Sequence, residues 1–248
     1  MRRLLRHIPN TITSLNLVSG TAAIFFALRG NLTEAALLIC IAAVFDFLDG
    51  VAARLLKAYS EIGKELDSLA DMVSFGLAPT AILFSLIELS LFGSQSGEWG
   101  ALAVWLKIAT LLPVFLMPVM SGLRLAKFNV MQSGETYFLG LPTPSNGLIW
   151  ASLGLIYERA THHEFSAIIF STTMLVVIGI LTSAMLVLNL PMFSLKFKSL
   201  KFTENWYRFL FLFLAVVFIL AMPLYGLTLT MFTYIGLNII FYLFKIKY

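Results

Sequence analysis

The sequence predicts an all-α integral membrane protein with about eight transmembrane helices, six in a core and two at the C-terminus. Two observations carry this prediction. Hydrophobic residues make up 59% of the 248 residues and charged residues only 12%, whereas soluble domains carry about 25% charged residues. The apolar runs are also long enough to cross a bilayer, which takes about 20 residues for a helix. Such a chain leaves no room for a large soluble domain.

Eight apolar runs give the predicted spans. Prolines and polar residues interrupt the third, fourth and fifth runs. The first run follows a basic start, as in a signal peptide. However, it begins with polar residues and Pro9 and shows no small-residue cleavage pattern, which favours a retained helix. In order, the predicted spans are 11–29, 33–56, 66–88, 100–121, 143–160, 166–188, 206–222 and 226–244.

The positions of Lys and Arg predict the orientation in the membrane. With the N-terminus in the cytoplasm, only Arg29, Lys107 and Arg159 of the 17 Lys and Arg residues fall on the opposite side. Cytoplasmic loops are typically enriched in Lys and Arg. We therefore expect a multi-pass protein of the cell (inner) membrane with its N-terminus in the cytoplasm. The net charge of +4 is explained by these loops, and no nucleic acid is expected as a partner.

The segment from 190 to 206 differs from the spans. Lys196, Lys198 and Lys201 alternate there with Phe193, Phe197 and Phe202. This pattern is typical of a segment on the membrane surface, with its aromatic rings inserted and its lysines near anionic headgroups, although an ordinary basic loop fits equally well. We divide the chain at this point, into a core membrane domain at 1–190 and, at 191–248, a basic interfacial segment with two further transmembrane helices.

Four aspartates stand in two of the apolar segments, Asp46 and Asp49 in the second span and Asp67 and Asp71 in the third. A charged side chain inside a membrane costs about 3 kcal/mol or more, so ionisable residues there usually mark function. At about 100° per residue, each pair lies on one face of its helix. Since a short turn makes the two helices antiparallel, we expect the two acidic faces to meet at the cytoplasmic end.

Carboxylates gathered in this way cannot all remain ionised unless cations lie between them. Their oxygens suit Mg²⁺ or Mn²⁺, and four carboxylates suffice for two bridged ions, which stabilise displacement at phosphorus.

Gly50, Ala53 and Gly63 share these faces. Small residues permit either close helix packing or the approach of a ligand, and beside four aspartates we favour the ligand.

These residues resemble the signature of the CDP-alcohol phosphotransferase family, D-x2-D-G-x2-A-R-x8-G-x3-D-x3-D, with every spacing met from Asp46 to Asp71. The stretches IPNTITSLNLVSG, ELDSLADMVSFGLAPT and GLRLAKFNV…YFLGLPTPSNG are similar to the phosphatidylserine synthase branch of that family. The resemblance covers roughly residues 1–190, which makes this the catalytic domain. Lys127 stands where that branch is expected to have Arg, so the charge is kept but bidentate recognition is not.

The resemblance implies a reaction, in which CDP-diacylglycerol donates its phosphatidyl group to the hydroxyl of L-serine and CMP leaves. It also implies roles for individual residues and, since family members are commonly homodimers, a homodimer in the lipid bilayer. Asp71 would be the general base as well as a metal ligand. The expected ligands of two Mg²⁺ or Mn²⁺ ions are Asp46, Asp49, Asp67 and Asp71. The residues expected to border the CDP moiety are Gly50, Ala53, Arg54, Gly63 and Ser68.

Polar residues outside the signature add candidates for substrate binding. Asn10, Thr13 and Asn16 lie near the cytoplasmic start of the first span. They could hydrogen-bond cytidine, or they could cap the helix and bond to neighbouring helices. We assign Asn10 and Thr13 to the CDP site.

Arg124 is the main candidate for the serine site, because Arg is the natural bidentate partner of a carboxylate. Anchoring at the cytoplasmic membrane face explains Arg124 as well. Lys127 and Asn129 follow on the same segment and are assigned to the same pocket.

Three alternatives stay open at this point. The chemistry could be kept with glycerol phosphate or inositol phosphate as acceptor, or with an archaeal ether lipid as donor. Acceptors that carry phosphate call for several basic residues. The candidate acceptor pocket offers mainly Arg124 and Lys127, which favours a small zwitterion such as serine. A cation channel or carrier would need polar residues that continue to the far side of the membrane, whereas here the polar residues gather at the cytoplasmic end. A membrane prenyltransferase would place its two acidic motifs on well-separated helices, whereas here both lie between Asp46 and Asp71.

Overall fold

The computed structural model describes residues 7–93, 98–130, 137–160, 164–193 and 202–245, and these are mostly helical. The α-helices are α1 Ile8–Leu28, α2 Leu32–Leu55, α3 Glu61–Asp71, α4 Ala78–Phe92, α5 Val104–Val130, α6 Thr143–Arg159, α7 Glu164–Ile169, α8 Thr172–Val187, α9 Phe202–Ala221 and α10 Gly226–Leu243. A π-helical turn, Met72–Leu77, joins α3 to α4, and a 3₁₀ turn spans Trp99–Ala101.

The predicted all-α membrane class is confirmed. Among the described residues, five helical segments are long and apolar enough to cross a membrane, as judged by length and composition: α1, α2, the continuous rod Glu61–Phe92, α5 and α10. Helix α8 and the part of α9 from Asn205 onwards are apolar but shorter. Helix α6, which fills the fifth predicted span, belongs to neither group; it begins with the polar stretch TPSN and ends with the charged residues Glu158 and Arg159.

The fourth and sixth predicted spans differ most from the helices observed. The fourth was expected to end at 121, but α5 continues to Val130 and holds Pro113 and Pro118 inside it. The polar residues after 121 lie on this helix, where Arg124 is buried and Lys127 is exposed. The sixth was expected to be continuous, but it breaks into α7 and α8, where Ser171 caps α8 by accepting a hydrogen bond from the Met174 amide.

The helices that carry the acidic signature are at the centre of the packing. Helix α1 packs along α2 and also contacts α3 and α4, while α2 packs against α6 and α5 against α8. Helices α9 and α10 pack against each other, and α10 also contacts α6. The core between these elements is apolar and includes fully buried Phe75, Leu86 and Trp150. The α1–α2–α3 contacts therefore fix the position of the aspartates.

A short antiparallel ladder was not predicted. Strand β1, Tyr137–Leu139, pairs with β2, Pro191–Phe193. The interfacial prediction is wrong for Phe193, whose side chain is fully buried inside the protein, because β2 docks on α10. Phe202 is exposed as expected, whereas Lys196, Phe197, Lys198 and Lys201 lie outside the described residues.

Candidate active site

The acidic faces of α2 and α3 meet as the signature predicts. One carboxylate oxygen from each of Asp46, Asp49 and Asp67 lies within 4.8 Å of the other two. Asp49 is buried, whereas Asp46 and Asp67 are partly exposed. Three hard oxygen donors at this separation fit a divalent cation such as Mg²⁺ or Mn²⁺. This set of donors thus agrees with the predicted metal chemistry.

Asp71 stands next to this cluster, at the last residue of α3 before the π-helical turn. Its carboxyl interacts electrostatically with the other three aspartates and is within hydrogen-bonding reach of Asp46. The Asn16 amide lies 3.5 Å from Asp71 Oδ1. π-Helical turns often occur at functional sites, and this one follows directly on the predicted general base.

Helix α1 supports the cluster from the other side. The Thr13 hydroxyl lies 2.6 Å from Asp49 Oδ2, to which it donates, and 3.0 Å from its own helix at Pro9 O. Ser74, in the π-helical turn, donates to Asn16 O at 3.0 Å. Asn16 was considered for cytidine, but it is fully buried and faces Asp71. Thr13 and Asn16 therefore hold the carboxylates in position.

A cavity of about 970 Å³ opens over the acidic cluster. The predicted residues along its wall are Asn10, Thr13, Asp46, Asp49, Gly50, Ala53, Arg54, Gly63 and Asp67. A volume of this size is typical of a site for a small molecule or cofactor, about 300–1,000 Å³. Ser68, which was also assigned to CDP, does not line it; its hydroxyl accepts a hydrogen bond from Asn129 Nδ2 at 2.8 Å.

The two signature glycines have different surroundings. At Gly50 an added Cβ would meet nothing within 4 Å, so this glycine opens directly onto the cavity. At Gly63 an added Cβ would lie 2.8 Å from Asn10 Oδ1 and 2.9 Å from Ser60 Oγ. Gly50 thus provides space for a ligand, whereas Gly63 permits close contact between α3 and α1.

The predicted acceptor residues separate in the structure. Arg124 is 8% exposed, donates to Thr143 Oγ1 at 3.1 Å, and interacts electrostatically with Asp71. Lys127 is exposed on the same helix, and Asn129 bonds to Ser68 and, through its carbonyl, to Lys64 Nζ. The structure therefore brings Arg124, but not Lys127 or Asn129, to the aspartates.

Sequence analysis missed a buried polar cluster around Arg124. Among the described residues, Arg124 Nε, Ser121 Oγ and both amide atoms of Asn146 are buried without a hydrogen-bond partner. Ser121 lies one turn before Arg124 on α5, and Asn146 one turn after Thr143 on α6. Unsatisfied buried groups of this kind are uncommon and call for an explanation such as a ligand.

Other cavity residues were also missed. They are Pro9, Phe47, Ala58, Tyr59, Ser60, Lys64, Pro142, Ser145, Phe193, Phe211, Met231 and Tyr234. Lys64 follows directly on the signature glycine, so its position was available from the spacing. Phe193, Phe211 and Tyr234 come from the C-terminal segment, where the sequence carries no motif.

The chain is similar to several known proteins. Residues 6–184 match the model of the CDP-alcohol phosphatidyltransferase family. Three relatives named CDP-diacylglycerol–serine O-phosphatidyltransferase are similar to the chain. The Bacillus subtilis protein is 35% identical over 62% of this chain and 78% of its own length. The Mycobacterium leprae protein is 33% identical over 76% of this chain and 58% of its own length. The Helicobacter pylori protein of strain 26695 is 28% identical over 95% of this chain and 91% of its own length. The match thus spans little more than half of the mycobacterial relative.

Proposed function

Because the chain belongs to the CDP-alcohol phosphatidyltransferase family, we propose that it transfers the phosphatidyl group of CDP-diacylglycerol to the hydroxyl of L-serine. The products are phosphatidylserine and CMP. The single observation that carries the proposal is the acidic cluster, with Asp46, Asp49 and Asp67 oxygens within 4.8 Å of one another on the wall of a cavity of about 970 Å³. The names of the relatives support serine as the acceptor.

In the proposed reaction the serine hydroxyl oxygen forms a bond to the phosphorus that carries the diacylglycerol. The bond from that phosphorus to the oxygen of CMP breaks, and CMP leaves. Asp71 accepts the hydroxyl proton, because it stands beside the cluster at the end of α3. A positioned general base contributes about 10²–10⁴-fold to such a step.

Asp46, Asp49, Asp67 and Asp71 would hold two divalent ions. When bound, these ions offset negative charge on the diphosphate and on the departing CMP. Thr13 and Asn16 orient two of the carboxylates through their side chains.

The CDP moiety would lie along the wall formed by α1, α2 and α3. Gly50 leaves open space there, Asn10 offers an amide, and Arg54 and Lys64 bring positive charge to the same cavity. Arg54 Nε already donates to its own helix at Gly50 O, 3.0 Å away, which holds its guanidinium near the proposed diphosphate.

The acceptor would lie on the Arg124 side of Asp71. The unsatisfied Nε of Arg124 suits the serine carboxylate, and the unsatisfied Oδ1 of Asn146 suits the ammonium group. Each is a buried polar atom that a zwitterion would satisfy. This favours serine over a phosphate-bearing acceptor, which would call for several basic residues beside Arg124.

The membrane face and the oligomeric state belong to the same proposal. We propose that the cavity faces the cytoplasm of a cell (inner) membrane, where the soluble cytidine head and serine are available and the acyl chains remain in the bilayer. The homodimer implied by the family resemblance stays a prediction.

An acceptor panel tests the proposal. Purified protein in detergent is supplied with CDP-diacylglycerol, Mn²⁺ or Mg²⁺ and either L-serine, glycerol 3-phosphate or inositol phosphate, and CMP release is measured. We expect release that depends on serine and on the metal. Asp71→Asn should abolish serine-dependent release, since it removes the base while nearly preserving shape.

Thermal unfolding of Asp71→Asn is the control for folding. Release with glycerol 3-phosphate but not serine would assign the chain to another acceptor, and an ether-lipid analogue of the donor tests the remaining alternative. Full activity of Asp71→Asn would show that the base is another residue.

A further inference from the structure

The cavity over the acidic cluster extends beyond the part of the chain that matches the family. The family model ends at residue 184, yet Phe193, Phe211, Met231 and Tyr234 also line the cavity. They come from β2, α9 and α10. The predicted division near residue 190 therefore does not divide the cavity, and the C-terminal helices supply one of its walls.

Hydrogen bonds fix this wall to α10. The Phe193 amide donates to Asn238 Oδ1 at 2.8 Å, and Phe193 O accepts from the Tyr234 hydroxyl at 2.9 Å. Asn238 is fully buried and its Nδ2 donates to Tyr234 O at 2.7 Å. Both backbone polar groups of Phe193 are thus bonded to α10 side chains.

Aromatic packing makes the same wall rigid. The Phe193 ring is edge-on to Tyr234, with centroids 5.1 Å apart, and to Phe211, with centroids 5.9 Å apart. Phe193, Phe211 and Tyr234 are at most 5% exposed, and Met231 is 9% exposed. Edge-to-face pairs of buried aromatic rings stabilise a fixed arrangement, so this surface has a defined shape.

The wall stands on the acceptor side of the cavity. Arg124 donates to Thr143 Oγ1 at 3.1 Å, and Pro142 and Ser145, which are close to Thr143 in the chain, line the same cavity as Tyr234. Helix α10 is also tied to α6, which carries Asn146, by a hydrogen bond of 2.8 Å from the Thr228 hydroxyl to Ser152 Oγ. Gly50 and Ala53, on the proposed CDP wall, belong to α2 instead.

We propose that Phe193, Phe211, Met231 and Tyr234, here called the C-terminal wall, set the size of the acceptor that reaches Asp71 and keep water away from the donor phosphorus. The proposal rests on the proposed function. Water is the competing acceptor: its oxygen would bond to the phosphorus that carries the diacylglycerol, the bond to CMP would break, and phosphatidic acid, CMP and a proton would result.

Two size-reducing variants test the wall, Met231→Ala and Phe211→Ala. The readouts are kcat/KM for L-threonine relative to L-serine, and CMP release without any alcohol. L-Threonine carries one extra methyl group beside the reacting hydroxyl. Since one methylene in an apolar pocket changes discrimination by about 10-fold or more, we expect the threonine-to-serine ratio to rise about 10-fold. We also expect CMP release without alcohol to increase and the KM for CDP-diacylglycerol to stay near that of the wild type.

Neighbouring residues on the same helices provide matched controls. Phe232→Ala and Phe213→Ala remove side chains that are 50% and 65% exposed and lie outside the cavity. Both should keep the wild-type ratio. Met231→Phe changes the wall in the opposite direction, so it should lower the ratio even if the alanine variants do not fold.

The outcomes separate the two proposals. If the wild type releases no CMP with serine, the proposed function fails. If the wild type is active but the ratio in Met231→Ala, Phe211→Ala and Met231→Phe equals that of the controls, the proposal for the wall alone is overturned. A change confined to the KM for CDP-diacylglycerol would also overturn it, because the wall would then contact the donor.

Discussion

The Thr13 hydroxyl shows how one residue outside the acidic signature can control it. It donates to Asp49 Oδ2 at 2.6 Å, and both residues are buried. Partners that hydrogen-bond to a metal-binding carboxylate fix its orientation, and their removal typically costs about 10–100-fold in metal affinity or activity. The sequence suggested that Thr13 contacts the nucleotide. In the structure its hydroxyl also orients Asp49.

We predict that Thr13→Val weakens metal binding. Valine keeps the shape of the side chain but leaves Asp49 without its hydroxyl donor, so the Mn²⁺ concentration for half-maximal activity should rise about 10–100-fold. The measurement is a Mn²⁺ titration of CMP release after chelation. Thr11→Val is the matched control, because the exposed Thr11 hydroxyl donates only within its own helix, to His7 O at 3.0 Å. An unchanged Mn²⁺ dependence in Thr13→Val would contradict the orienting role.

At the scale of elements, the approach of α3 to α1 depends on Gly63. A Cβ there would be 2.8 Å from Asn10 Oδ1 and would also press on Ser60, the N-cap of α3, whose hydroxyl oxygen accepts from the Gly63 amide at 3.0 Å. Loss of such a cap costs about 1 kcal/mol. Gly50 has no comparable constraint, since open space lies beside it.

The two glycines should therefore respond differently to alanine. Gly63→Ala should lower the melting temperature in detergent, because the Asn10 side chain and the Ser60 hydroxyl that caps α3 must move. Gly50→Ala should leave the melting temperature unchanged or higher, since alanine favours helix over glycine by about 1 kcal/mol, and should raise the KM for CDP-diacylglycerol. Equal effects of the two variants on the KM, without a difference in melting temperature, would show that both glycines serve the ligand.

These elements also show what the sequence could and could not predict. The aspartates were predictable, because helical periodicity places residues spaced by three or four on one face and the short turn after α2 brings two such faces together. The extension of α5 to Val130 was not, since it depends on packing rather than on apolar runs. The polar groups of Asn146 and the rings of the C-terminal wall come together only by contact between distant segments, and no local pattern marks them.

At the scale of the whole molecule, positive charge is distributed unevenly between the two ends of the helices. Arg54, Lys57 and Lys64 are exposed near the turn between α2 and α3, at the same end as the cavity. At the other end, Arg29 follows α1 and Arg159 lies 3.4 Å from Thr33 Oγ1 at the start of α2. Since Lys and Arg are enriched on the cytoplasmic side, this asymmetry supports a cavity that opens to the cytoplasm.

Thiol labelling in membrane vesicles tests this orientation. Cys40, the single cysteine of the chain, is first replaced in Cys40→Ala. One cysteine is then introduced by Glu61→Cys, at the exposed start of α3, or by Gly100→Cys, at an exposed site where an added Cβ meets nothing within 4 Å. With a membrane-impermeant maleimide, Gly100→Cys should react in right-side-out vesicles and Glu61→Cys in inverted ones. The reverse pattern would place the acidic cluster on the outer face, away from cytoplasmic serine, and would contradict the proposed orientation.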